Sequence, residues 1–506
     1  LKLNRKLLES DFAFPKDVQV TRLPILPERI IQFGEGNFLR AFVDWMVHQA
    51  NKQGLFNGRV VVVQPLPSGL VPQLNQQDGL YTLFLRGIQH GQVVEKKEVI
   101  SSISRGINPY EDWEGFLACA EKPEIRYVIS NTTEAGIAYV PEEYREGVPL
   151  SSYPGKLTAY LYRRFRKFGP DPAMGMMIIP CELIDRNGDN LKSIVLQLAR
   201  EWNLPAEFVE WVEKHNSFLN SLVDRIVTGY PRDQIDEISA YLGYEDALLN
   251  TGEIFHLWVI EGDTRFSEEL PFHKVGLNVK WVPDMTPYRT RKVRVLNGAH
   301  TMTVPVAYLC GLDTVREAVE DELVGTYVRR GIFEEILPTL HMDAREINDF
   351  AQSVLERFQN PFIKHYWIDI ALNSTSKFKT RVLPSVIEYA RIRGIAPPLL
   401  SFSLAALIAF YRGETIEDGM LVGRRDKGTY RLRDDRESLL FFQQQWANFD
   451  GVTGSIDRLV RNVLANRSLW GMDLNEIPGL YERVARSLEN IVEQGMAASV
   501  KQLLAK

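Results

Sequence analysis

Residues 29–42 read Arg29-Ile30-Ile31-Gln32-Phe33-Gly34-Glu35-Gly36-Asn37-Phe38-Leu39-Arg40-Ala41-Phe42, an apolar run that enters Gly-x-Gly and then a helix-like stretch ending near Gln49. The run predicts a buried strand, and the glycines predict the turn by which that strand passes into a helix. A phosphate suits such a turn. Gly34 permits a tight bend, Gly36 lets backbone approach a pyrophosphate, and the helix start presents unpaired N–H groups to the anion. Leu39 stands where the dinucleotide fingerprint has its third glycine, so the residues alone leave a plain strand-to-helix turn open as well.

Arg59 to Gln64, Tyr127 to Thr133 and Gly175 to Leu183 are further β-branched or apolar runs separated by amphipathic stretches. This alternation predicts a mainly parallel sheet covered by helices, with Val60 to Val63 as the second strand of a βαβ unit. At the end of that strand stand Gln64, Pro65 and Leu66. Neither the acid that binds an adenine ribose nor the arginine that takes a 2′-phosphate is there, so NAD and NADP are not separated at this spot. Leu80 to Leu85 and Val93 to Ser102, parted by residues 86–91, read as an antiparallel hairpin inserted in the sheet. A strand-rich patch over 253–284 extends the same domain. After Met285 helical periodicity dominates, as in 314–337, 343–358, 437–448 and a last helix whose Leu480, Val484, Leu488 and Ile491 form one stripe. The expected architecture is α/β. Residues 1–284 form a Rossmann-type dinucleotide domain with an extended mixed sheet, and residues 285–506 a mostly α-helical substrate-binding and catalytic domain.

Bulk properties remove several function classes. The net charge is −6 and the basic residues are dispersed, so neither nucleic acid nor an anionic membrane is an expected partner. Cys119, Cys181 and Cys310 lie far apart, and the eight histidines lack ligand spacing, so neither a disulfide framework nor a metal site is expected. The most apolar run, Leu399 to Tyr411, is too short to span a bilayer core of roughly 30 Å and reads as a buried helix. Leu1 to Pro15 lacks the apolar core of an export signal, and a cytoplasmic location is expected.

The second chemical constellation is Tyr288-Arg289-Thr290-Arg291-Lys292-Val293-Arg294-Val295-Leu296-Asn297-Gly298-Ala299-His300-Thr301, with the register Lys-x4-Asn-x2-His. On an α-helix Asn297 and His300 lie roughly 140° and 80° from Lys292, so all three can look toward one site. Interconverting an alcohol and a ketone needs a group that takes the hydroxyl proton and donors that hold the developing oxyanion. A lysine serves as that base if burial and neighbouring charge, here Arg291 and Arg294, bring its pKa down from about 10.4 toward neutrality. Asn297 would donate to the oxyanion, and His300 would hold a neighbouring hydroxyl. The residues alone also allow a solvated basic helix face with His300 satisfied in the core.

Together with the Gly34 loop, this register resembles the polyol-specific long-chain dehydrogenase family, to which mannitol dehydrogenase belongs. Thr133-Glu134-Ala135-Gly136, Val223-Asp224-Arg225-Ile226, Trp258-Val259-Ile260-Glu261 and Ser376-Lys377-Phe378 are similar to further segments of that family, over about residues 28–385. The resemblance implies NAD as cofactor, bound by Phe33, Gly34, Glu35, Gly36, Asn37, Phe38, Thr132, Thr133 and Asp224. It also implies Lys292 as general base, Asn297 polarising the reacting oxygen, His300 on the substrate, and Glu134 on the proton path. No metal is implied.

Two segments depart from the family. Its Cys-Asp/Glu-Asn segment reads Cys181-Glu182-Leu183, which removes an oxyanion donor, and its Arg-x-x-x-Asp-Gly-Ser segment reads 369–375 without the arginine. The loop Gln32 to Trp45 looks like the family's tagaturonate version rather than its mannitol and fructuronate version. The implied reaction is reversible reduction of tagaturonate to altronate, with fructuronate to mannonate or another polyol dehydrogenase reaction of the family as the alternative. A non-catalytic nucleotide-binding protein is the reading from another class, and Lys292, Asn297 and His300 occurring together speak against it. Lys377, Lys379 and Arg381 are candidate cations for the substrate carboxylate, or else a solvated loop.

Overall fold

The computed structural model describes residues 1–452 and 454–505, apart from the side chain of Glu134. The chain divides into two compact units, Leu1–Met285 and Thr286–Lys506. In the first, six strands form one sheet: β1 (Glu28–Phe33), β2 (Arg59–Val63), β3 (Ile103–Ile107), β4 (Tyr127–Ser130), β5 (Met177–Pro180) and β6 (Ser217–Phe218). All neighbours pair in parallel, in the order β3-β2-β1-β4-β5-β6. This is the doubly wound dinucleotide order, whose direction reverses between β1 and β4, so a crevice opens beyond their carboxyl ends. Alternate residues feed two cores. Ile30, Val60, Val62 and Ile129 pack on one face, and Ile31, Val61, Val63 and Val128 on the other. Burial on both faces is why these strands read as unbroken β-branched runs.

The hairpin forms, but in a different sheet from the one expected. Tyr81–Gln89 and Gln92–Ile100 pair antiparallel around His90 and Gly91, whose φ values of 52° and 75° suit a tight hairpin turn. With Val18–Val20, Asn250–Glu253 and Val227–Gly229 they build a separate five-stranded mixed sheet. Ser221–Asp224, Leu257–Glu261 and Val279–Val282 form a third sheet. The mixed strands therefore do not extend the parallel sheet. Pairing partners far apart in sequence settle this, and they leave no trace in local periodicity.

The second unit is predominantly helical. Pro398–Phe410 is a buried helix, and among the described residues no helix is long and apolar enough to cross a membrane. Periodicity missed the antiparallel strands Gly413–Glu417, Met420–Arg425 and Gly428–Leu432, which are short and largely polar.

Glu28, at the start of β1, accepts hydrogen bonds from Arg105 Nε (2.8 Å), Lys122 Nζ (2.8 Å) and Ser104 Oγ (2.9 Å). Burial pushes its carboxyl up, but these partners outweigh burial and hold it at about 2. A depressed folded-state pKa contributes stability that is complete above about pH 4.5 and lost as pH falls toward 2. Glu28→Gln is expected to cost on the order of 1 kcal/mol at pH 7, after screening at the half-exposed cations, and nothing near pH 2. Urea unfolding at both pH values measures the difference.

Candidate active site

The Gly34 loop lies at the carboxyl end of β1, at the reversal of strand order. Gly34 has φ +122°, and a Cβ there would meet Asn131 O at 2.8 Å, so only glycine fits without strain. A Cβ at Gly36 would meet nothing within 4 Å, which leaves that face open to a ligand. Among the described residues the N–H groups of Gly36, Asn37 and Phe38 make no backbone hydrogen bond. The helix expected to follow is interrupted. One turn, Asn37–Arg40, ends at Ala41, and a second helix begins at Val43. The turn therefore presents the loop's own donors rather than the end of a long helix.

Buried arginines brace this loop. Arg40 donates to Glu35 O (3.1 Å), Asn37 Oδ1 (2.7 Å) and Leu248 O. Arg225 donates to Ala41 O (2.6 Å) and to the carbonyls of Ile254 and Phe255. The Val-Asp-Arg-Ile segment thus anchors the loop through its arginine, while Asp224 ends a strand and is buried. Leu39 is buried beneath the turn. The Phe33 ring is fully buried against Phe116 and Tyr153. Phe38 stacks on Phe42, with ring centroids 4.9 Å apart.

Across the reversal point, the loop after β4 is clamped by Glu182. Its Oε1 accepts from Thr132 N and Thr132 Oγ1, both at 3.0 Å, and its Oε2 from Ser130 Oγ at 3.0 Å. Thr133 has φ +77° and ψ 168°, a region essentially reserved for glycine and tolerated where surrounding structure enforces it. Glu134 opens a short 3-10 turn, and its side chain lies outside the described residues. Thr133→Gly is expected to raise stability by about 1 kcal/mol, the strain relieved less the entropy of glycine. The midpoint of urea unfolding reads it. Leu183, which closes the Cys181-Glu182-Leu183 segment, is 61% exposed.

In the second unit the Lys-x4-Asn-x2-His register does not sit on a plain α-helix. Lys292–Asn297 is π-helical, and α-helix resumes at Gly298. A π turn closes i→i+5, so Asn297 lies about one turn beyond Lys292 and near its face, closer than α geometry allows. Lys292 is half-buried. Arg291 and Arg294, expected to act on the lysine, have other partners: Arg291 donates to Glu346 (3.3 Å) and Arg294 to Ser385 Oγ (3.1 Å). The amide of Asn297 makes no hydrogen bond among the described residues.

His300 stacks on Phe358 at 4.4 Å and meets His365 and Trp367 edge-on. Its Nε2 is shielded from solvent and has no hydrogen-bond partner among the described residues. Burial drives its pKa well below the ordinary value, and the charges of His365, Arg357, Arg381 and Lys377 drive it further, so the ring is neutral at pH 7. Lys377 and Arg381 lie four residues apart on the helix Ser374–Arg381, which packs against the helix that carries His300, and their charges act on that ring. Lys377 Nζ donates to Ile370 O (2.7 Å). Arg381 is half-buried, only burial perturbs its pKa, and among the described residues it has no acidic partner. Lys379 is not part of this group. It projects toward Gly471 and lines a separate pocket of about 400 Å³ with Asp435, Glu437 and Asn466. Sequence reasoning did not single out Arg357, Phe358, His365 or Trp367. The dense His365-Tyr366-Trp367 run was the available signal.

Comparison with known proteins covers both units. Residues 28–274 match the mannitol dehydrogenase Rossmann domain and residues 284–492 the mannitol dehydrogenase C-terminal domain. Altronate oxidoreductase of Halalkalibacterium halodurans is 48% identical over 481 residues, covering 95% of this chain and 94% of that protein. Its counterpart in Bacillus subtilis is 49% identical over 476 residues, covering 94% and 95%. Among solved structures, a substrate-free D-sorbitol dehydrogenase superposes with a TM-score of 0.80 at 22% identity, covering 99% of this chain and 100% of that one. The Pseudomonas fluorescens mannitol 2-dehydrogenase complex with NAD and D-mannitol gives 0.67 at 22% identity, with full coverage of both chains. Along nearly its whole length, therefore, this chain belongs to the mannitol dehydrogenase family and is an oxidoreductase acting on a CH–OH group.

Proposed function

We propose that the chain interconverts D-tagaturonate and D-altronate with NAD(H) as cofactor. The observation that carries the substrate class is the set of cations beside His300. A half-buried guanidinium without an acidic partner is costly to desolvate, and a bound carboxylate relieves that cost. Arg381 and Lys377 therefore suit a uronate better than a neutral polyol. The relatives at 48% and 49% identity are named for altronate, which supports the same choice.

The Gly34 loop fits a dinucleotide: an open glycine face, three backbone donors without a backbone partner among the described residues, and a braced turn meet where the strand order reverses. When bound, the nicotinamide supplies or accepts the hydride. In the reductive direction the ammonium of Lys292 gives a proton to the oxygen that was the ketone, which completes the alcohol. In the oxidative direction its neutral amine takes that proton from the hydroxyl. Asn297 donates to the oxygen as charge develops, and neutral His300, through its unpartnered Nε2, adds the contact that Leu183 lacks.

NADH consumption measured in parallel with tagaturonate and fructuronate tests the assignment. A kcat/KM at least about tenfold higher for tagaturonate is expected, a difference of about 1.4 kcal/mol in transition-state binding. Preference for fructuronate would move the assignment to the mannonate reaction. Turnover of mannitol at a comparable rate would remove the carboxylate from the argument.

A further inference from the structure

In the doubly wound fold the ribose 2′-hydroxyl of the adenosine half is held by an acid at the end of the second strand. Here β2 is followed by Gln64, whose buried side chain is tied to the backbone: Nε2 donates to Leu66 O (2.8 Å) and Oε1 accepts from Val71 N (3.3 Å). From Gln64 to Leu70 the chain contains no acid and no base.

The structure brings a carboxylate there from another element. Glu35, between the two loop glycines, reaches across so that its Oε1 accepts from Leu70 N (3.4 Å). A Cβ at Gly69 would sit 2.2 Å from that oxygen and 2.7 Å from the Gln64 amide, so the absence of a side chain at 69 makes the room that Glu35 occupies. Arg40 holds the Glu35 backbone from the opposite side. The carboxylate is half-buried, next to the exposed turn of Ser68 and Gly69. Among the described residues, the lysine bonded to the segment after β2 offers nothing to a phosphate. Lys156 is fully buried, and its Nζ already donates to Pro65 O (3.1 Å), Ser151 O (2.7 Å) and Tyr110 Oη (2.9 Å).

We infer that Glu35 determines cofactor choice: its carboxylate accepts the adenosine 2′-hydroxyl of NAD(H) and repels the 2′-phosphate of NADP(H). The inference rests on the dinucleotide reading of the Gly34 loop. It differs from the usual arrangement in the origin of the acid, which comes from the first loop and not from the second strand.

Equilibrium binding of NADH and NADPH, followed by ligand fluorescence without substrate, tests it on the wild type, Glu35→Gln and Gly69→Ala. The wild type is expected to bind NADH about 100-fold more tightly than NADPH, and Glu35→Gln to narrow that ratio about tenfold or more, chiefly by gaining NADPH. Gly69→Ala, which displaces the carboxylate, is expected to narrow it as well. An unchanged ratio in both variants, or a wild type that binds the two equally, overturns the role of Glu35 and leaves the dinucleotide reading standing. A wild type that binds neither overturns both.

Discussion

Lys292→Ala is expected to lower kcat for tagaturonate reduction about 100-fold to 10,000-fold, the range supplied by a positioned acid–base group. NADH binding is expected to stay within about twofold of wild type, because the donors proposed for it belong to the Gly34 loop. The combination is diagnostic. A lysine that merely supported the π-helical turn would change thermal stability and substrate affinity together, whereas an acid–base lysine changes turnover. Added small primary amines should restore part of the rate in Lys292→Ala by delivering the proton from solution. A variant with near-normal kcat would refute the acid–base role.

Arg381→Met is expected to raise KM for tagaturonate while kcat falls much less. Losing one partner of a buried charged contact costs about 2–5 kcal/mol. At about 1.4 kcal/mol per decade, this corresponds to about 30-fold or more in KM. Stability should move in the other direction. Removing a half-buried cation that lacks an acidic partner should hold or raise the melting temperature of the substrate-free protein. A fall in melting temperature with unchanged KM would make Arg381 a packing residue. Lys379→Met serves as the control, since Lys379 lines a different pocket and should leave KM unaltered.

The parallel sheet was legible because its strands are buried on both faces. Val60 to Val63 must be apolar at every position, and that requirement is written locally. The Gly34 turn was legible for a related reason, since its backbone conformation restricts one position to glycine. The hairpin was legible as a hairpin and not as a member of its sheet. Its neighbours, Val18–Val20 and Asn250–Glu253, come from distant parts of the chain. The alternation along β1 turns the Phe33 ring into the core, a direction that its place beside the glycine loop does not state.

The alternation of strands and helices, the strand-to-helix turn at Gly34 and Gly36 and the register of Lys292, Asn297 and His300 were readable along the chain. Each is expressed in residues close together along the chain, where periodicity and backbone sterics act. The π-helical turn that carries Asn297 toward Lys292 and the separation of Lys379 from Arg381 emerged only with the three-dimensional fold. The fold also decided the burial that keeps His300 neutral and the reach of Glu35 to the end of β2. Those properties depend on which distant groups exclude water from a side chain or bond to it, and solvation and Coulomb interaction are set by distance in space, not by spacing in sequence.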